Sequence, residues 1–172
     1  IERIRFTSPH VRYMTDEFIE TVCELPAVCE SVHVPLQSGA NRILKAMRRG
    51  YTVEQYRDRI DKLRSRCPGM AFSTDVIVGF PGETEEDFEA TRALMSDIAF
   101  DMAYIFKYSP RSGTAAARMD DSVPVAEKER RNQVLLGLLE TGALANNRRY
   151  VSTDVEVLVE GPSKRRPERW TG

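Results

Sequence analysis

Phe72-Ser73-Thr74-Asp75-Val76-Ile77-Val78-Gly79-Phe80-Pro81-Gly82-Glu83-Thr84 decides the fold. Phe72 to Val78 reads as a strand, apolar on both faces apart from Ser73, Thr74 and Asp75, as expected of a strand buried in a parallel sheet. Gly79 to Glu83 makes the turn. Thr84 caps the helix that follows, whose apolar residues are Phe88, Thr91, Leu94, Met95 and Ile98 at helical spacing. Toward the N-terminus, Thr52 caps a helix with Gln55 completing a capping-box pattern. Val53, Tyr56, Ile60, Leu63 and Cys67 share one face of it, and Pro68-Gly69 stops it. Before it come a short helix around Ile43, Leu44 and Met47, a strand from Val32 to Leu36, a helix opening at Thr15-Asp16-Glu17, and a strand-like run ending in Ile4 to Thr7. Toward the C-terminus, Met102 to Tyr108 reads as another strand. A loop from Ser109 to Val123 leads into a long helix from Pro124, taken as its first residue, to Asn147. Strands alternating with helices through short connections predict an α/β fold with a parallel sheet and crossover helices.

Past Tyr150 the pattern changes. Val155, Val157 and Val159 alternate with polar residues, Gly161-Pro162 makes a turn, and a basic tail follows. This predicts the start of a small antiparallel β unit over 150–172, beside an α/β unit over 1–149. The 172 residues are 41% hydrophobic and 30% charged, the balance of a globular chain. No apolar run approaches the roughly 18–20 residues that cross a bilayer and no signal peptide opens the chain, so no membrane partner and a cytoplasmic location are expected. The chain begins without Met inside a strand-like run, which suggests a piece of something longer. Cys23, Cys29 and Cys67 suit neither a disulfide framework nor a zinc site and are read as reduced and structural. A formal net charge of −1 excludes a uniform positive field, so any nucleic-acid contact comes from local patches.

Ligands of parallel α/β folds bind at the carboxyl ends of the strands. That rule selects Thr7 to His10, Pro35 to Asn41, Gly79 to Thr84 and Ser109 to Thr114. Gln37 offers an amide that both donates and accepts, or simply ties down loop backbone. Asp75, inside an apolar strand, needs a cation or donors, either at a site or in a structural ion pair. The glycines of Gly79-Phe80-Pro81-Gly82 allow close backbone approach to a ligand, and equally serve any tight turn. His10 and His33 are not spaced as a metal pair, and no Ser-His-Asp arrangement, P-loop or zinc cluster is legible. Arg57, Arg59, Lys62, Arg64 and Arg66 are interleaved with Glu54, Asp58 and Asp61, which reads as a solvated helix face. Arg48-Arg49 forms another basic cluster. The tail with Lys164, Arg165, Arg166, Arg169 and Trp170 could hold phosphates and stack a base, or be a plain polar terminus.

Four stretches, in order and spacing, resemble the radical-SAM methylthiotransferases. They are Val34-Pro35-Leu36-Gln37-Ser38-Gly39 with Arg42-Ile43-Leu44, Met47-Arg48-Arg49-Gly50-Tyr51-Thr52, Thr74 to Thr84, and Phe106-Lys107-Tyr108-Ser109-Pro110-Arg111-Ser112-Gly113-Thr114. The resemblance implies the C-terminal part of a partial (β/α) TIM-like barrel over 1–149, followed by the truncated start of an RNA-binding β module of the TRAM type. It implies S-adenosylmethionine as cofactor, and both a radical-SAM and an auxiliary [4Fe-4S] cluster in the parent enzyme. The family's Cys-x-x-x-Cys-x-x-Cys motif has no match here, so no metal ligand is assigned, no catalytic residue is named, and the fragment alone is expected to be inactive. Carried over, Gln37, Ser38, Arg49, Asp75, Gly79 and Gly82 lie around the cofactor, with Val76 to Val78 and the Phe106 region as the apolar wall. Tyr108, Ser109 and Arg111 lie toward the substrate. The wording resembles the tRNA-modifying branch, which places a methylthio group on C2 of an N6-modified, here isopentenylated, adenosine. The branch acting on a ribosomal-protein aspartate and a non-catalytic fold or RNA-contact module are the alternatives. A barrel missing strands has an open sheet edge, which predicts self-association or a covered edge.

Overall fold

The computed structural model describes residues 1–171. Its centre is a parallel sheet of Ser31–His33 (β1), Ala71–Val78 (β2) and Met102–Lys107 (β3), in that order, with Val32 opposite Phe72 and Val76 opposite Ile105. Asp16–Glu24 (α1), Asn41–Ala46 (α2), Val53–Arg66 (α3), Glu85–Ile98 (α4) and Val125–Asn147 (α5) make the connections and the outer layer. The local signals act as read. Thr15, Thr52 and Thr84 accept hydrogen bonds from the first-turn amides, and Gln55 and Asp87 complete capping boxes at Thr52 and Thr84. Each satisfies amides that the helix itself cannot.

Along β2 burial alternates. Phe72, Thr74, Val76 and Val78 are buried, whereas Ser73, Asp75 and Ile77 are half-buried. This corrects the expectation of a strand buried alike on both faces. Tyr56, Phe72, Phe88, Ile60, Leu63 and Leu135 fill the core on one face, while Met102, Tyr104 and Phe106 stand 48–51% exposed on the other. A parallel sheet clad on one face only is the wall of an open barrel, the architecture expected.

β1 is shorter than the expected strand from Val32 to Leu36. Pro35 has no amide to donate, and side chains take over where the ladder stops. The Thr74 hydroxyl donates to the Val34 carbonyl at 2.8 Å and accepts from the Leu36 amide at 2.9 Å, while the Tyr56 hydroxyl donates to the same Val34 carbonyl at 2.7 Å. Pairing resumes as a single bridge between Gln37 and Val76. Thr74→Val, nearly isosteric, leaves the buried Leu36 amide without an acceptor and is expected to lower stability by ~1–3 kcal/mol in urea denaturation. A change below about 0.5 kcal/mol would show that the hydroxyl is not what holds this segment.

Three more readings are corrected. Ile4 to Thr7 makes one bridge, Ile4 to Val28, with the Ser8 amide donating to the His33 carbonyl at 3.0 Å, and forms no strand. Pro124 is the cap of α5, extended at ψ 147°, and not its first helical residue. The alternating Val155, Val157 and Val159 form no strand: they are 55–60% exposed with no face to cover. The antiparallel pair lies further on, between Gly161–Pro162 (β4) and Trp170–Thr171 (β5).

Candidate functional site

The strand-end loops surround a cavity of about 790 Å3, bordered by Gln37, Arg49, Asp75, Ile77, Phe106 and Tyr108, with Arg48, Ser109 and Arg111 at its edge. Gln37, Arg49, Asp75, Tyr108, Ser109 and Arg111 are therefore brought together. Gln37 is 4% exposed and sits at φ +70°, a left-handed conformation that costs a non-glycine residue of the order of 1 kcal/mol. The surrounding ladder enforces it: the Gln37 amide donates to the Asp75 carbonyl at 2.7 Å, and the Ile77 amide donates to the Gln37 carbonyl at 3.0 Å. A strained residue held this firmly at the border of a cavity is a candidate for function.

Ser38, Gly79 and Gly82 do not line the cavity. The buried Ser38 hydroxyl accepts from the Ala40 amide at 3.2 Å and lies 3.4 Å from the Thr91 hydroxyl, fastening the Gln37 loop to α4. The Gly79 amide donates to Glu83 Oε2 at 2.7 Å. A Cβ on Gly79 would collide with the Lys128 stem, and its φ of +70° favours glycine independently. The Gly82 carbonyl accepts from Arg42 at 2.7 Å, and Arg42 also pairs with Asp87. Of Val76 to Val78 only Ile77 reaches the cavity, because successive strand residues point to opposite faces.

Arg49 is presented by a turn at the end of α2, in which Arg48 and Gly50 adopt φ of +59° and +67° and the Arg49 amide donates to the Leu44 carbonyl at 3.0 Å. His10 Nε2 lies 3.1 Å from the Arg49 carbonyl, and its ring meets Tyr51 edge-on at 5.3 Å. The Tyr51 hydroxyl donates to the Pro35 and Leu36 carbonyls at 3.0 and 3.1 Å. Burial pushes that phenol up to about 12, against the pull of Arg49, so it remains a donor. His10 and Tyr51 thus tie the segment ending at His10, the turn after α2 and the Pro35–Leu36 stretch after β1 into one rim, a role that sequence spacing did not reveal.

Asp75 faces a partner that sequence reasoning set aside. His33 Nε2 is 3.2 Å from Asp75 Oδ2, and His33 Nδ1 is 3.0 Å from the Ser73 hydroxyl. A neutral imidazole can donate to Asp75 and accept from Ser73. Half the signal was in the sequence, since Ser73 and Asp75 share one strand face; the other half, His33 opposite Ser73, is set by the register of β1 on β2. The trio lines a second hollow of about 370 Å3 on the uncovered sheet face, beside Met102 and Tyr104. Asp75 borders both spaces.

Behind the cavity, Glu83, Lys128 and Arg131 form a buried charged cluster not read from the sequence. Lys128 Nζ contacts both Asp121 oxygens at 2.7 Å and lies 5.1 Å over the Tyr108 ring, whose hydroxyl donates to the Ala116 carbonyl at 2.9 Å. This secures the loop carrying Ser109 and Arg111. Among the described residues no three His, Cys, Asp or Glu side chains converge as a metal site requires. The three cysteines are free thiols, and burial, reinforced by Glu30, pushes Cys67 up to about 11.

Residues 1–95 match the family model of the radical SAM superfamily. Over all 172 residues the chain is 56% identical to a tRNA-2-methylthio-N(6)-dimethylallyladenosine synthase of Opitutus terrae and 48% identical to one of Moorella thermoacetica, covering 36% and 39% of those proteins. Over 169 residues it is 47% identical to a protein of the same name from Neisseria meningitidis, covering 38% of it. The chain thus spans under two fifths of the length of these curated relatives. Among solved structures, coproporphyrinogen III oxidase from Escherichia coli, described as a radical SAM enzyme, superposes with a TM-score of 0.56 at 20% identity, over 66% of this chain and 27% of that one. At that identity the likeness concerns the fold alone.

Proposed function

This chain belongs to the radical SAM superfamily, and on that footing we propose that it forms part of the barrel of a tRNA methylthiotransferase acting at C2 of an N6-dimethylallylated adenosine. The reading is supported by relatives of that name at 47–56% identity. One observation carries it: Gln37, Arg49 and Asp75, distant in sequence, border one cavity with Ile77 and Phe106. Those side chains fit S-adenosylmethionine. Arg49 offers a cation for its carboxylate, the Gln37 amide donates and accepts, Asp75 accepts from ribose hydroxyls, and Ile77 and Phe106 give adenine an apolar wall. The volume, about 790 Å3, lies in the range of small-molecule sites. When bound, that cofactor would act twice: one molecule, cleaved with an electron supplied from outside this chain, would give the radical that activates an inert carbon, and a second would give the methyl group that completes the product. The chain's own part is to orient it: the strained Gln37 backbone and the His10-Tyr51 lock hold the polar contacts in place, and the His33 pairing fixes the Asp75 carboxylate. The described residues do not fit an iron–sulfur cluster. The RNA acceptor implies a cytoplasmic enzyme.

Isothermal titration of S-adenosylmethionine into the full-length protein tests the site. Arg49→Gln removes a charged hydrogen-bond donor and is expected to weaken binding about 10- to 100-fold. Gln37→Gly relieves the left-handed strain while removing the amide, so about a 3- to 10-fold loss of affinity comes without loss of thermal stability. Unchanged affinity in both variants would remove the cofactor assignment.

A further inference from the structure

The chain carries 25 Lys and Arg against 26 Asp and Glu, and cations on the outer helices are spent on acids. Arg57 pairs with Asp97 at 2.7 Å, Arg59 and Lys62 with Asp16 at 3.1 and 2.8 Å, Arg66 with Glu20 at 3.1 Å, and Arg130 with Glu85 at 2.6 Å. At the cavity mouth Lys107 is likewise paired, with Glu129, but three further cations there are not. Lys45, Arg48 and Arg111 are exposed, and none comes within ion-pair distance of an acid among the described residues. The one carboxylate lining the cavity, Asp75, is turned to His33.

The geometry extends the mouth in one direction. Arg48 borders both the cavity and an adjoining groove of about 490 Å3, whose walls include Lys45, Asn41, Thr52 and Gln55 and no acid. The acid beside it in sequence, Glu54, is held by the Asn41 amide at 3.1 and 3.2 Å. Arg48 is committed to this position by its backbone, since the left-handed turn at φ +59° ends α2 there. Arg111 lies on the loop after β3, and between the two loops the cavity offers the Phe106 and Tyr108 rings.

Unpaired cations flanking an aromatic-lined cavity match a single-stranded polynucleotide: phosphates sit on the rim while one base leaves the strand and reaches the mouth beside the cofactor. We infer that Arg111 on one side, and Arg48 with Lys45 on the other, form a phosphate-binding track for the RNA segment flanking the modified nucleotide. The track rests on the reading of the cavity given above and adds the path of the RNA across it. An acidic peptide is the competing occupant, but it would have no use for the aromatic cavity between the cations.

The experiment uses the full-length protein and an RNA hairpin with the acceptor adenosine in its loop, with binding followed by fluorescence anisotropy over a KCl series. For a single-stranded segment each phosphate contact adds about 0.7 to the slope of log affinity against log salt. Arg48→Gln/Arg111→Gln is therefore expected to lower that slope by about 1.4 and the low-salt affinity by about tenfold. Arg57→Gln/Arg59→Gln, on the acid-paired outer face, should behave as wild type. A salt-sensitive wild type whose slope the double variant leaves unchanged overturns the track and leaves the proposed function standing. A wild-type affinity flat with salt overturns both. Preference for an acidic peptide over the hairpin, lost in the double variant, replaces RNA by a protein partner and also overturns the track.

Discussion

Arg131→Met is expected to destabilise this chain by about 3–5 kcal/mol in urea denaturation, because it strips the partner from a buried carboxylate. Arg131 and Glu83 side chains are 5% and 1% exposed and meet at 2.6 Å through Nη1 and Oε2. Burial pushes the Glu83 carboxyl above its ordinary value of 4.5, and the Gly79 amide and the Arg131 guanidinium pull it back. Without Arg131 the upward push is less opposed. Below the ordinary carboxylate range Glu83 is protonated in both folded and unfolded chains, and the variant loses least. As pH rises past that range, only the unfolded chain ionises freely, so the gap to wild type widens up to the folded value. Comparing wild type and variant at pH 4 and pH 7 checks the sign, with the larger gap expected at about pH 7. Glu83→Gln/Arg131→Met retains an acceptor for the Gly79 amide, removes both charges, and is expected to recover part of the loss. A gap independent of pH would show that the cost is one of packing, since Arg131 also lies 5.4 Å from the Phe88 ring.

The same pair shows where sequence reading stops. Thr52 with Gln55, and Thr84 ahead of Phe88, Thr91, Leu94, Met95 and Ile98, were legible because capping and helical periodicity act within a turn or two of the chain. Arg131, Lys128 and Asn132 were not. Charged and amide side chains on a helix normally signal solvent, yet these are buried because their partners, Glu83, Asp121 and the Ile105 carbonyl, arrive from other elements. The facing of β2 was ambiguous for a related reason. With Val76, Ile77 and Val78 all apolar, composition could not say that only Ile77 looks into the cavity. The Pro35–Asn41 and Ser109–Thr114 loops of the candidate site were found by the strand-end rule, which depends on topology alone, whereas the Arg49 turn came only with the family resemblance and the His33 contact with Asp75 required the register between two strands. Ser38, Gly79 and Gly82 carried the same polar and glycine-rich signature as Gln37, but their contacts hold the loops from behind.

Gly39 joins that supporting layer to the site, and Gly39→Ala is the second large effect expected. A Cβ there would lie 2.5 Å from Thr91 Cα, 2.7 Å from the Ala90 carbonyl oxygen and 2.8 Å from the Thr91 amide nitrogen. All three are backbone atoms of α4, so no flexible side chain can yield. Either the helix shifts away from the core or the Gln37–Ala40 loop lifts off it, which breaks the 2.8 Å bond from the Gly39 amide to the Thr91 hydroxyl. Overpacking costs ~1–3 kcal/mol and a buried amide left unpaired about as much again, so a total near 3 kcal/mol or more is expected. Gly113→Ala calibrates it: Gly113 has φ of +83° with nothing within 4 Å of the added carbon, and should lose only about 1 kcal/mol of backbone preference. In the full-length protein the two variants should separate further. A lifted loop carries Gln37 out of its enforced conformation and weakens S-adenosylmethionine binding about tenfold or more, while Gly113→Ala leaves Gln37 in place. Equal losses of stability in the two variants would mean that α4 and the loop relax freely around the new methyl group. The close Gly39 approach would then not be what keeps Gln37 at the cavity.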